Sequence, residues 1–376
     1  MELSRTIGVI EAGIDRGLHP GAQLFVSQHG RTIFDDAFGR TAFNGGGAPV
    51  RTDSLTLWMS AGKPVAAVAL AQLVAVGRVT LDDLVCQHVP AFDRHGKRPI
   101  TVRHLLQHTA GFRGPMGSFE PGSWEHQVEK ACDLKLEPGW IPGAKAGYHP
   151  GSSWFILGEI VRTASGQPYD QYVRDHVFGP LGEADVWVGL PHAQWDAYGD
   201  RIAPTLITDP QQRNVVTRLN DPEINAIPRP GANARGPIRA LGRLYEALLA
   251  AEWPHRDSAS PKPPPLGLPG LPGEESITRR SRVGLFDHTF KCVLDWGLGV
   301  LVDSKEYAGP HPYGYGRYAS PDTFGHSGNQ CACAFADPAH GLVVAWVCTG
   351  MPGEAAHDAR QRAVNEAVYE DLGLAF

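Results

Sequence analysis

Apolar and polar positions change their period several times along the chain, and each change marks an element. Met1 to Glu11 alternates at helical spacing, so residues 2–17 read as an amphipathic helix. Ala22–Gln28 and Thr32–Phe38 read as two strands joined by the hairpin turn His29-Gly30-Arg31. A Gly/Pro-rich loop at 44–49 leads to the longest apolar run, Pro64 to Val74, whose small alanines suit a tightly packed core helix. Proline fits only the first turn of a helix, which sets the start of this one near Ser60. Thr80–Asp83 reads as a capped turn and Thr101–Leu106 as a helix start. From about 110 to 240 short helical patterns alternate with Pro/Gly breaks, and Ser152–Thr163 is the clearest helix. Residues 239–252 place Leu241, Leu244, Leu248 and Leu249 on one helical face. Prolines crowd the segment 261–273, which predicts an exposed, semi-rigid loop. Strand patterns return at 293–302, 331–336 and 342–347, and a last helix covers about 355–371. Strands at both ends with helices between predict one sheet built from the two termini and a helical insertion.

Composition narrows the function classes. At 376 residues the chain is long enough for one large or two interleaved domains. It is 42% hydrophobic and 20% charged, the balance of an ordinary globular protein and not of a disordered one. A net charge of −6 and no basic cluster beyond Arg279-Arg280-Ser281-Arg282 argue against nucleic acid as a partner. No apolar run approaches the ~18 residues of a membrane span, and the N-terminus does not read as an export signal. The six cysteines are expected to be reduced, buried and cytoplasmic. Cys331 and Cys333 should share one strand face, and nothing nearby completes a zinc set, so neither metal nor cofactor is expected.

The candidate chemistry begins at Ser60-Ala61-Gly62-Lys63. Three residues apart on a helix, the two side chains share a face. A serine hydroxyl becomes a nucleophile when a neighbouring base takes its proton, and a lysine with a lowered pKa can be that base. By itself the pair is common. Two distant segments, Tyr148-His149-Pro150 and Phe324-Gly325-His326-Ser327-Gly328-Asn329, follow it in the order of the motifs of penicillin-recognising serine enzymes. Together they make the chain similar to the class C β-lactamase-like superfamily, closest to family VIII carboxylesterases. Thr101–Phe112 and Leu157–Ile160 also resemble that superfamily, and the resemblance runs from about residue 5 to 370.

The resemblance implies a β-lactamase/transpeptidase-like α/β fold, an antiparallel sheet flanked by helices with a mostly helical inserted domain. Residues 1–75 and 285–376 would form the sheet domain and 76–284 the helical one, with the active site between them. Ser60 would be the nucleophile, and Lys63 or Tyr148 the base. The N–H groups of Ser60 and Asn329 would form the oxyanion hole. His326, Ser327, Gly328, His149 and Trp58 are the candidate substrate contacts. Taken alone, Tyr148 also reads as a packing aromatic, Trp58 as core and His149 as a residue behind the site. Two departures from the lactamase pattern bear on substrate. Pro150 stands where an asparagine carboxamide is usual, and His326 where a lysine would anchor a carboxylate. Both move the expectation toward a small-molecule ester or acyl donor. Acyl transfer and amide hydrolysis use the same acyl-enzyme, and a silent binding protein on this fold is the remaining alternative.

Overall fold

The computed structural model describes residues 2–114, 119–211, 215–253, 266–268, 276–307 and 314–375. Its centre is a six-stranded antiparallel sheet. The N-terminal part supplies helix α1 (Ser4–Asp15) and the hairpin β1 (Gly21–Gln28) and β2 (Arg31–Gly39). The helical part holds α2 (Lys63–Ala75), α3 (Trp124–Asp133), α4 (Ser152–Ser165) and α5 (Ile238–Glu252). The C-terminal part returns with β3 (Leu301–Val302), β4 (Phe324–Gly328), β5 (Ala332–Asp337), β6 (Leu342–Cys348) and α6 (Glu354–Asp371). Spatial order is β3-β4-β5-β6-β1-β2, so the two ends of the chain meet where β6 pairs with β1.

Period-2 alternation explains why β5 and β6 read as unbroken apolar runs: both of their faces are covered. Leu342, Val344, Trp346 and Cys348 of β6 pack under α1 and α6, whereas Val343, Ala345 and Val347 face the helical side. Thr6 Oγ1 donates to Asp371 at 2.8 Å, which ties α1 to α6. The largely buried α2 fills the other core together with α4. No helix among the described residues is long and apolar enough to cross a membrane.

Four expectations need correction. The strand pattern over 293–302 breaks into Cys292–Val293 and β3, because Gly297 N–H closes a turn on Val300 and Gly299 takes φ +84°. Cys331 and Cys333 do not share a face. Cys331 closes the turn from Gly328 and packs with Ala332, Ala334 and Ala336 on the helical side, while Cys333 packs with Phe335 under the terminal helices. Helix α5 lies by sequence in the helical insertion, yet its apolar stripe packs on the sheet. Its Gly242 meets Phe25 of β1 so closely that a Cβ would stand 2.3 Å from the ring. Most of the proline-rich segment lies outside the described residues, but Leu266 and Leu268 within it are buried.

Candidate active site

Ser60 sits in a 3-10 turn, Met59–Gly62, that runs directly into α2, with Pro64 in the first helical turn. The first N–H groups of such a turn have no intrahelical partner, so the Ser60 amide faces outward with the positive end of the helix. Met59, just before it, adopts φ +51°, a left-handed conformation that costs a residue with a Cβ about 1–2 kcal/mol. The turn is held from behind. Trp58 N–H donates to Ala234 O at 3.0 Å and its indole to Gly236 O at 3.1 Å. Trp58 is fully buried against Phe178 and does not line the cavity; it anchors the Ser60 turn from behind.

Lys63 is completely buried. Its Nζ lies 2.9 Å from Ser60 Oγ, 3.0 Å from Pro150 O and 2.6 Å from Gly231 O. Loss of hydration pushes its pKa well below the usual 10.5. Three oxygens thus surround Nζ; once the amine is neutral, its two N–H groups can serve the two carbonyls, which only accept, and its lone pair can face the serine hydroxyl. Tyr148 is buried, and its ring lies 5.2 Å from Lys63 Nζ. The Trp154 ring lies 5.4 Å from Nζ, and the bonds to Pro150 O and Gly231 O are to main-chain oxygens. Pro150, which lacks a side-chain partner for Lys63, supplies a carbonyl in its place.

The third segment forms β4. A Cβ on Gly328 would stand 2.1 Å from Trp58 O, so only glycine lets this strand approach the Ser60 turn. His326 Nδ1 is 2.8 Å from Ser327 O; a carbonyl accepts, so Nδ1 carries the proton and Nε2 keeps its lone pair. Nε2 is enclosed and has no partner among the described residues. Burial, reinforced by the nearby Lys63, lowers the His326 pKa to about 3, so the ring is neutral at working pH. Ser327 donates its hydroxyl to Gln361 at 2.9 Å. Asn329 is exposed in the turn that Cys331 N–H closes on Gly328 O. Behind that turn the buried Arg360 donates to Gln330 O at 2.8 Å and Gly350 O at 3.1 Å.

These groups open on a cavity of about 440 Å³. Ser60, Tyr148, Pro150, His326, Ser327, Gly328 and Asn329 all line it. His149 does not: its buried ring turns away, where Nε2 accepts Phe112 N–H at 3.3 Å. The helical wall is largely apolar, with Phe119, Ala131, Leu134 and Phe155. Its cations lie around Glu120, with Lys130 ion-paired to that carboxylate and Arg229 donating to its main-chain oxygen at 2.5 Å. The opposite wall includes Glu354, His357, Asp358 and Gln361 of α6. Sequence reading missed this wall, although the i, i+3, i+4, i+7 spacing of those four residues is a legible helical face.

The sequence model described as Beta-lactamase matches residues 7–369. Penicillin-binding protein 4 of Amycolatopsis lactamdurans is 32% identical over 341 residues, which cover 88% of this chain and 81% of that protein. Esterase EstB of Burkholderia gladioli is 32% identical over 181 residues, 44% of this chain, and that match spans about half (46%) of EstB. A penicillin-binding protein homologue from Caulobacter crescentus superimposes with a TM-score of 0.76 at 27% identity, covering 98% of this chain and 97% of the other.

Proposed function

The chain belongs to the Beta-lactamase family, and we propose that within it the protein is a serine carboxylesterase acting on small-molecule esters through an acyl-Ser60 intermediate. The observation that carries this reading is the contact of Ser60 Oγ with a desolvated Lys63 Nζ at 2.9 Å, on the wall of a largely apolar cavity. In the neutral state Lys63 accepts the hydroxyl proton as Oγ attacks the ester carbonyl. The oxyanion forms between the N–H groups of Ser60 and Asn329. Collapse of this intermediate breaks the ester C–O bond. The departing alkoxide takes a proton relayed through Tyr148, leaving the acyl group on Ser60. Water then adds with its proton passing to the same base, collapse breaks the bond between the acyl carbon and Ser60 Oγ, Oγ recovers that proton, and the carboxylic acid leaves. All three reacting side chains are present, which disfavours a silent binding protein.

Substrate preference follows from the third segment. A neutral His326 whose N–H is committed to Ser327 O offers no cation to a carboxylate, and Pro150 offers no carboxamide. The partial likeness to EstB supports the same direction. We expect kcat/KM for a p-nitrophenyl ester to exceed that for a chromogenic cephalosporin by at least about 100-fold. Comparable efficiencies on the two would remove this reading of the site. Product analysis with an added alcohol separates hydrolysis from acyl transfer: a new ester in place of the free acid marks the transferase.

Gly328→Ala tests the close approach of strand and nucleophile turn. The methyl would push β4 off Trp58 O, and a displacement near 1 Å costs on the order of 100-fold in kcat. Initial rates beside a calorimetric melt check this, and an unchanged kcat would contradict it. We assign the division into a sheet domain (1–75 and 285–376) and a helical domain (76–284) to the same reading, with the qualification that α5 packs on the sheet. The six free thiols suit a cytoplasmic location, which is also part of the proposal.

A further inference from the structure

The main chain on both sides of Tyr148 is tied down, and two of the ties run to a single residue. Gly147 N–H donates to the His108 carbonyl at 2.9 Å, and His149 N–H donates to His108 Nδ1 at 3.0 Å. Between them Tyr148 N–H donates to Asp287 Oδ1 at 3.1 Å, and its carbonyl accepts the Thr289 hydroxyl at 3.0 Å. The His108 ring lies 4.7 Å from the Tyr148 ring, and Trp296 meets it edge-on at 4.6 Å. His108 is fully buried and holds φ +57°, a conformation costly for a residue with a Cβ. The strain falls where one residue must aim both its carbonyl and its ring at the loop 147–149.

We propose that His108 is the positioning residue for Tyr148, its carbonyl and Nδ1 bracketing residue 148 and so fixing where the phenol stands relative to Ser60 and Lys63. This rests on the carboxylesterase reading above. Because Nδ1 accepts from an amide, the proton sits on Nε2, and this tautomer is the one that can hold the loop. Burial, with the nearby His149, Arg282 and Lys63, keeps the His108 pKa well below its ordinary value, so the Nδ1 lone pair persists through the working range. Asp287 also grips the loop, accepting from Tyr148, Thr289 and Phe290. It is in addition ion-paired with the buried Arg282 at 3.3 Å, so its removal would strand a charge and report on folding. His108 carries no such debt.

The test compares His108→Asn with His108→Phe on a p-nitrophenyl ester. An Asn Oδ1 takes the place of Nδ1 and tolerates positive φ, whereas Phe keeps a ring without an acceptor. The Asn protein should hold kcat within about 3-fold of wild type. The Phe protein should lose on the order of 30- to 100-fold in kcat, with KM changed less than about 2-fold. Fluorophosphonate labelling of Ser60 should slow in parallel. A Phe protein with wild-type kcat, or Asn and Phe proteins equally impaired, would overturn the proposal. If the Phe protein shows no cooperative melt, His108→Ala replaces it in the same contrast. The wild-type adduct separates the two readings. Labelling away from Ser60 strikes the esterase reading and this inference with it, whereas labelling at Ser60 with no effect at His108 strikes this inference alone.

Discussion

Ser60→Ala is expected to lower kcat for p-nitrophenyl ester hydrolysis by at least about 10³-fold, the scale seen when a serine nucleophile is lost while the surrounding site remains. The residue that disappears is small and partly exposed, so the rest of the site should stay in place. The turn is fixed by Trp58, through its main-chain N–H to Ala234 and its indole to Gly236, and neither bond involves the serine side chain. Any remaining rate would come from the oxyanion donors and from substrate binding, which the alanine protein retains. The melting temperature should be unchanged or slightly raised, since an active-site hydroxyl contributes to chemistry more than to stability. Rates measured beside a thermal melt check both halves. A variant that melts normally and keeps a tenth of its activity would contradict the assignment of the nucleophile.

Lys63→Met should cost about 10³- to 10⁴-fold in kcat, toward the upper end for removal of a general base. Methionine fills much the same volume. It leaves the carbonyls of Pro150 and Gly231 without their donor, at about 1–3 kcal/mol each, partly offset because no ionisable group is then buried. A modest drop in melting temperature beside a very large drop in rate is therefore the expected pattern. The same lysine sets the pH dependence. With its neutral form as the proposed base, kcat/KM should rise with pH as the ammonium loses its proton and level off well below 10.5. For stability the sign is the same. Between the lowered folded pKa and the unfolded value the unfolded chain binds one more proton, so this residue's contribution improves as pH rises through that window. His326, lowered to about 3, adds no inflection near pH 6.5. A profile whose limb near 6.5 disappears in His326→Asn would show that the histidine, and not the lysine, titrates in catalysis.

Periodicity alone located most of the fold that matters here. The hairpin β1–β2, the core helix α2, and α4, α5 and α6 all lie within a few residues of their predicted bounds, because each has a clean apolar period or a capping residue such as Pro64. Periodicity misleads where a glycine turn cuts a run of strand-like residues, as at Gly297–Gly299, and where a one-residue offset of a strand start moves Cys331 off its expected face. The candidate site is marked in the sequence at Ser60, Lys63, Tyr148, His326 and Gly328, whose side chains or backbone needs are local to a motif. It was illegible at Gly231 and Pro150, which hold the lysine through main-chain carbonyls. Any residue type supplies a carbonyl, so no sequence signal exists for that role. His149 and Trp58, expected as substrate contacts, do not line the cavity, because adjacency to Tyr148 or Ser60 says nothing of which way a side chain turns. His108 lies 40 residues before Tyr148 and meets it only through the folded loop.

The central claim is that Ser60 carries the acyl group, and peptide mapping of the covalent adduct tests it most directly. Wild-type protein treated with a fluorophosphonate, or trapped during turnover of a p-nitrophenyl ester, should gain one adduct, and fragmentation should place it on Ser60. The Ser60→Ala protein should gain none. An adduct on another residue of the wild type, or one that persists undiminished in Ser60→Ala, would contradict the account.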